Sequence, residues 1–302
     1  MKVSVITPFY EGNEYIRDYE EMLTANERSL ATGDVLEVVL VNDSPWEAVG
    51  LSGLNKSRGN WRVISNKRNV GIHASRIHGL SEASGDYVIF LDQDDRLAED
   101  AIAVMLEEAR RLARDSNQRL CYQVLVANAL LEQRDGSELP WYRTGYHKSL
   151  IANLRTYVTV GTQIISPGQC MMAREIIPRE WMTRVVTVNG ADDYYLWLLL
   201  LDKGIAFHYI DEPLYVHHYT MHNLSSDTGQ TDRSTEQFTD YLRQSGFSGK
   251  LLDTLERQTR YKHDFRRSGI KGKVLLTIRY FDLFLANVYY KLRTGTPYGF
   301  NR

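Results

Sequence analysis

Short β-rich runs ending at polar turns alternate with helical segments along the first hundred residues, and that rhythm leaves few folds open to the chain. Val3-Ser4-Val5-Ile6-Thr7 stops at Pro8, and Leu36 to Val41 stops at Asn42-Asp43-Ser44-Pro45. Both read as buried strands that end in polar turns. Between them, Tyr15 to Leu30 carries apolar and aromatic residues at helical spacing, with Asn13 placed as its N-cap. A third strand near Trp61 to Ile64, a helix from Ile72 to Ala83 and a strand from Tyr87 to Leu91 continue the pattern. This alternation implies an α/β fold with a mainly parallel central sheet flanked by helices, which binds ligands beyond the carboxyl ends of its strands. Tyr10, Glu11, Asp43 and the segment Asp92 to Asp95 all fall at such ends.

Asp92-Gln93-Asp94-Asp95 follows the last of these strands directly. Carboxylates crowded at a strand end repel one another unless a positive group sits among them. A hard divalent cation, Mg²⁺ or Mn²⁺, takes oxygen ligands and commonly shares its shell with substrate phosphates. The competing reading makes the same residues caps for a helix starting near Ala98, which the helix dipole favours. The residues alone leave both open.

A chain of 302 residues with 43% apolar content holds one α/β domain and an appendage. Its two cysteines, Cys121 and Cys170, make no disulfide framework and point to a reducing compartment, and no signal peptide is expected before Val3. A cytoplasmic location, peripheral to the inner face of the plasma membrane, is expected. Charge is uneven: from Lys250 to Arg302 twelve Lys and Arg face four Asp and Glu, in a chain whose net charge is −2. Val274 to Leu292 is rich in Leu, Phe and Tyr but is interrupted by Arg279 and Asp282. That argues against a spanning helix, which needs about 20 mostly apolar residues. It allows an interfacial helix at an anionic membrane, or one packed on the preceding domain or on a dimer partner.

Six ordered motifs carry a resemblance to a known family. They are VSVITPFYEG (Val3 to Gly12), VNDSP (Val41 to Pro45), NVGIHASRIHG (Asn69 to Gly79), SGDYVIFLDQDD (Ser84 to Asp95), SPGQCMMARE (Ser166 to Glu175) and GADDYYLWLLLLDKG (Gly190 to Gly204). Together they resemble the family 2 glycosyltransferases of GT-A fold. The resemblance covers roughly Lys2 to Ser225 and implies a catalytic domain over 1–225 with a basic, mostly helical extension over 226–302. It also implies an inverting transfer from a nucleotide sugar, by family habit a UDP-sugar, to a hydroxyl of a glycan or lipid-linked glycan in cell-surface polysaccharide assembly. No nucleic-acid partner is implied.

The resemblance assigns donor contacts to Pro8, Tyr10, Glu11 and Asp43, and the chemistry agrees: Tyr10 offers a ring face to a base and Asp43 accepts from base N–H groups or sugar hydroxyls. Arg76 matches the family's basic residue near the donor, a guanidinium fork suited to diphosphate. Ile77 departs from the Asn frequent there, while Lys67 and Arg68 read as solvated charges. Asp94 is implied to hold the cation, with Asp92 and Gln93 on the ribose or on metal-bound water, and Asp95 capping the helix or orienting its neighbours. Asp193, in a pair where the family usually has Glu-Asp, is implied to be the base that takes the acceptor hydroxyl's proton. Of the histidines at 217, 218 and 222, His218 or His222 is implied to complete the metal shell or close over the diphosphate.

Glu132 to Leu154 reads as a long loop of the kind that forms lids or acceptor sites. Two other classes stay in view. A sugar-phosphate nucleotidylyltransferase would carry a Gly-x-Gly-x-Arg loop where Pro8-Phe9-Tyr10-Glu11 stands. A non-catalytic carbohydrate- or membrane-binding module would show damage at Asp94 or Asp193, and both carboxylates are present.

Overall fold

The computed structural model describes residues 1–133, 136–218 and 228–296. They fall into two compact units that interleave along the chain. The first comprises Met1–Pro140, Ile164–Ile177 and Ile205–Tyr219, and the second Trp141–Gln163, Pro178–Gly204 and Thr220–Arg302.

The first unit opens with β1 (Lys2–Phe9), α1 (Ile16–Ser29), β2 (Val35–Asn42), α2 (Gly53–Lys56), β3 (Trp61–Ser65), α3 (Ile72–Glu82) and β4 (Tyr87–Phe90). The strands pair in parallel in the order β3-β2-β1-β4, as the alternation predicts. It continues with β5 (Arg96–Leu97), α4 (Ala101–Asp115), β6 (Val124–Glu132), β7 (Glu138–Pro140), β8 (Cys170–Ala173) and β9 (Phe207–His217). Past β4 the sheet becomes mixed, because the buried strand β8 inserts antiparallel to both β4 and β6, while β9 runs parallel to β6. The whole is the GT-A fold. Both cysteines are buried thiols.

Gly79 shows how tightly α3 sits on this sheet. A Cβ there would lie 2.4 Å from Ile6 Cγ2 and 2.9 Å from Val41 Cγ2, so only glycine lets the helix descend onto β1 and β2. At the amino ends of the strands, buried Glu37 collects Ser4 Oγ (2.5 Å), Ser84 N (2.8 Å) and Lys2 Nζ (2.9 Å). Burial alone would raise its carboxyl, but these donors outweigh burial and hold it at about 2.

Several expected boundaries shift. β1 runs through Pro8, which pairs with Val41; β1 lies between β2 and β4, but its pairing with β4 ends at Ile6, so the missing N–H of proline costs no ladder bond on that side. Asn13 does not cap α1, whose N-cap is Tyr15; its carboxamide instead binds Glu47 Oε1 (2.6 Å), Ala48 O (3.0 Å) and Gly50 N (2.8 Å). Three loop partners satisfy more of its groups than one helix N–H would. The helix expected near Ala98 starts at Ala101, and its N-cap, Asp100, makes no side-chain cap bond.

The second unit is helical: α5 (Gly145–Ser149), α6 (Leu154–Thr159), α7 (Arg179–Thr183), α8 (Asp192–Asp202), α9 (Thr228–Gln244), α10 (Gly249–Arg267), α11 (Ile270–Arg279) and α12 (Phe281–Thr294). Its core is aromatic. Tyr195 stacks on Phe238 at 5.5 Å, Tyr194 donates to Tyr157 O (2.5 Å) and Trp181 Nε1 donates to Asp192 O (2.9 Å). The stretch expected as a long loop from 132 to 154 instead contains β7 and α5, with Thr144 capping α5 through His147 N. The single tail helix expected over Val274 to Leu292 is two helices, broken at buried Tyr280, whose ring packs against Tyr261 at 5.3 Å.

Candidate active site

In the first unit the loops after β1 and β2 are tied to each other and to the turn after β4. Asn42 accepts from Ser44 N (2.9 Å) and Ser44 Oγ (3.1 Å), forming an Asx turn, and Ser44 Oγ in turn accepts from Glu11 N (3.1 Å). Glu11 takes φ of 46°, a left-handed conformation that non-glycine residues rarely adopt. Gln93 closes the loop from the other side: Tyr10 N donates to its Oε1 (2.9 Å) and its Nε2 donates to Tyr10 O (3.0 Å). A Cβ on Gly12 would fall 2.4 Å from that carboxamide oxygen, so the doubly bonded Gln93 requires glycine there. Tyr10 is 43% exposed, not a core aromatic, and Trp46 meets it edge-on with ring centroids 6.0 Å apart.

Asp43 is buried and braces the entry to α3. Its carboxylate accepts from Asn66 Nδ2 (2.8 Å), Val70 N (2.9 Å) and Gly71 N (2.9 Å). Asn66 extends this network to Ser75 Oγ (2.9 Å) and His78 Nδ1 (2.8 Å). From α3 the buried guanidinium of Arg76 reaches Asp92 Oδ1 at 2.5 Å.

The acidic turn then divides its labour. Asp92 is neutralised by Arg76. Asp95 is buried and accepts from the Tyr215 hydroxyl, from His217 Nδ1 (3.1 Å) and from His218 N (3.3 Å). The antiparallel pairing of β5 with β9, Arg96 with Val216 and Leu97 with Tyr215, brings these partners to it. Asp95 is therefore no helix cap. Asp94 is left facing its neighbours: burial, then the charges of Asp95 and Asp92, push its carboxyl up to about 7. Among the described residues no three His, Cys, Asp or Glu side chains form a ready cage for a metal ion. The oxygen donors at the turn suit a hard cation whose shell is completed by phosphate and water, the usual arrangement for Mg²⁺.

A family model described as glycosyl transferase family 2 matches residues 4–177, more than half of the chain. The chain belongs to that family. It is 24% identical over 207 residues to the cholesterol galactosyltransferase of Borreliella burgdorferi, covering 66% of this chain and 56% of that one. To the putative teichuronic acid biosynthesis glycosyltransferase TuaG of Bacillus subtilis it is 25% identical over 240 residues, 77% of this chain and 85% of that one. It matches the glycosyltransferase GlyA of Streptococcus pneumoniae at 29% over 109 residues, 35% of this chain and only 15% of that protein's length. Residues 1–349 of S. aureus TarS in complex with UDP superpose with a TM-score of 0.57 at 16% identity, over 95% of this chain and 81% of that one. The same TarS fragment has been solved with UDP-GlcNAc, with a TM-score of 0.55. At such identity the TarS likeness is one of fold.

For this family 2 chain, the structure gathers Tyr10, Glu11, Gln93 and Asp43 around two tied loops, and Arg76, Asp92 and Asp94 around the acidic turn. Pro8 sits inside β1, two residues before Tyr10. His218 directs Nδ1 to Glu132 Oε2 (2.6 Å), so its ring is engaged at the end of β6, and it is His217 that shares Asp95. His222 lies outside the described residues. Asp193 is in the second unit, in the first turn of α8, whose N-cap is Ala191 rather than either Asp.

Sequence reasoning missed Trp46, Asn66 and the Tyr215–Asp95–His217 group. The signal for the last was present: residues two apart on a strand share a face, so Tyr215 and His217 point one way and His218 the other.

Proposed function

We propose that this chain is an inverting glycosyltransferase that moves a hexosyl or N-acetylhexosaminyl group from a UDP-sugar to a hydroxyl of a glycan or lipid-linked glycan, in the assembly of a cell-surface polysaccharide. The observation that carries the reading is the turn after β4, where Asp92 and Asp95 are each provided with donors while Asp94 is held at about 7 among their charges. A site that concentrates oxygen ligands and withholds counter-charge is one that a cation and a diphosphate would complete. The relatives support the coarser parts: TarS has been solved with UDP and UDP-GlcNAc, one relative is named for galactosyl transfer and another for teichuronic acid.

In this reading Asp94 would hold Mg²⁺ or Mn²⁺, which would supply positive charge to the departing diphosphate. Tyr10 and Trp46 present rings to the base, with Glu11 and Asp43 as hydrogen-bond acceptors for the nucleoside and Pro8 shaping the loop that offers them. Arg76 fixes Asp92, and Gln93 ties that turn to the Tyr10 loop, so the nucleoside and diphosphate positions are set together. Asp193 accepts the proton of the attacking hydroxyl; the oxygen bonds to the anomeric carbon as the bond to the diphosphate breaks, inverting that centre. His217 joins the site through Asp95, and His218 and His222 remain donor-side candidates.

Thermal shifts with UDP, GDP, dTDP and CMP, each with and without Mn²⁺, test this on wild type and on Asp94→Ala. Ligand binding to the native state raises its apparent stability. A shift with UDP that requires both Mn²⁺ and Asp94 is expected. A panel with no shift would move the chain to the alternative reading, a non-catalytic binding module of the same fold.

A further inference from the structure

In α11, Ile270, Val274, Leu275 and Ile278 are all exposed, and no residue of the helix is buried. Spacings of four, five and eight place these side chains along one stripe. In α12 a second stripe, Phe281, Leu285, Tyr289 and Leu292, is exposed, while Leu283, Asn287, Tyr290 and Thr294 are buried. The eight lie between 48 and 85% exposed. Single apolar residues are ordinary on a protein surface, but a row of eight on two successive helices marks an interaction surface.

The charges beside them identify the partner. Lys271, Lys273, Arg279, Lys291 and Arg293 lie on the same two helices, against one carboxylate, Asp282, which is taken by Arg257 at 2.8 and 3.0 Å. The Arg293 guanidinium rests over the Tyr146 and Tyr289 rings and that of Arg279 over Tyr280, cation–π contacts that hold both heads on aromatic surface without neutralising their charge. Two copies of this face brought together would crowd ten cations with almost no counter-charge. A surface with an apolar interior and anionic headgroups satisfies both the stripes and the cations.

We propose that α11 and α12 dock in the plane of an anionic membrane, with the apolar stripes among the acyl chains and the five cations at lipid phosphates. At ten and fourteen residues they are too short to span, and no helix among the described residues is long and apolar enough to cross a bilayer.

Co-sedimentation of the full chain with vesicles tests the proposal and reads binding, not turnover. Phosphatidylglycerol mixed into phosphatidylcholine should pull the protein down, pure phosphatidylcholine should do so poorly, and added salt should release it. Leu275→Glu with Ile278→Glu alters two exposed positions, so the fold should survive with an unchanged melting temperature while vesicle binding falls by roughly tenfold or more. Lys271→Gln with Lys273→Gln should keep the apolar contact and lose the preference for anionic lipid. Absence of wild-type binding, or equal binding by the Glu variant, overturns it. So does a lipid-free dimer, seen by light scattering, that the Glu variant abolishes, since that gives the face to a second copy.

Discussion

Two carboxylates in the first unit, at opposite ends of the same parallel strands, have been treated in opposite ways. Glu37, at the amino ends of β1, β2 and β4, is encircled by Ser4, Ser84 and Lys2 and held at about 2. Asp94, at the carboxyl end of β4, is pushed up to about 7 by burial and by Asp95 and Asp92. One end of the sheet spends its polar groups on one another; at the other, among the described residues, Asp94 is faced chiefly by the like charges of Asp95 and Asp92. Ligands of α/β sheets bind at the carboxyl ends, and the contrast gives that rule a cause here.

The largest expected effect lies at the uncompensated end. Asp94→Asn keeps the shape and removes the charge, so it should lower kcat by roughly 10²–10³ in a UDP-sugar transfer assay if the carboxylate holds the cation. The same change should raise the melting temperature of the cation-free protein, because a desolvated charge among like charges is lost. Loss of activity with a gain in stability separates this residue from a structural one. A drop in both would place Asp94 in the fold and break the contrast.

Glu37→Gln should do the reverse. The carboxyl's displacement from 4.5 to about 2 corresponds to roughly 3 kcal/mol of stability at neutral pH. Because the folded value is depressed, that contribution is complete above about 4.5 and is lost as pH falls toward about 2. Urea denaturation from pH 7 to pH 2.5 should show wild type converging on the Gln variant as the pH drops, with kcat of the variant at neutral pH close to wild type. Parallel curves across that range would mean Glu37 acts through packing alone.

Arg76 lies between these extremes, since its buried guanidinium both fills the α3 interface and neutralises Asp92. Arg76→Lys retains charge but loses the planar fork, and should cost about 1–2 kcal/mol of stability together with part of kcat. If only kcat falls, measured alongside thermal melting, the ion pair belongs wholly to the site.

The strand and helix alternation and the carboxyl-end placement of Tyr10, Asp43 and Asp94 were legible because period and punctuation are local properties. What was not legible depended on distant pairing. Asp95 meets Tyr215 and His217 only because two residues of β5 add to β9 more than a hundred positions later. Asn13 looked like a cap because residues just before a helix usually are; Glu47, Ala48 and Gly50, which claim its side chain, come from the next loop. Asp43 reads in sequence as a ligand acceptor, yet three of its contacts are spent on Asn66, Val70 and Gly71. Tail helicity was clear, but the break at Tyr280 follows from its packing against Tyr261, which no helical period encodes.

The smallest effect, and the finest test of the open end of the sheet, is at Trp46. Its ring is 62% exposed and touches Tyr10 edge-on, so it contributes little to the core, and Trp46→Ala should move stability by no more than about 0.5 kcal/mol. Stacking of a base on one aromatic side chain is worth about 1–3 kcal/mol. An exposed ring beside Tyr10 should supply the lower end, raising KM for the UDP-sugar about five-fold with kcat unchanged. Such a split is the mark of binding that is equal in ground and transition states, as expected of a contact to the nucleoside, far from the bond that breaks. Trp46→Phe should recover most of the loss. A fall in kcat instead would mean that the Tyr10–Trp46 pair orders the Gln93 turn, and with it Asp94, which would bind the aromatic and acidic halves of the site into one unit.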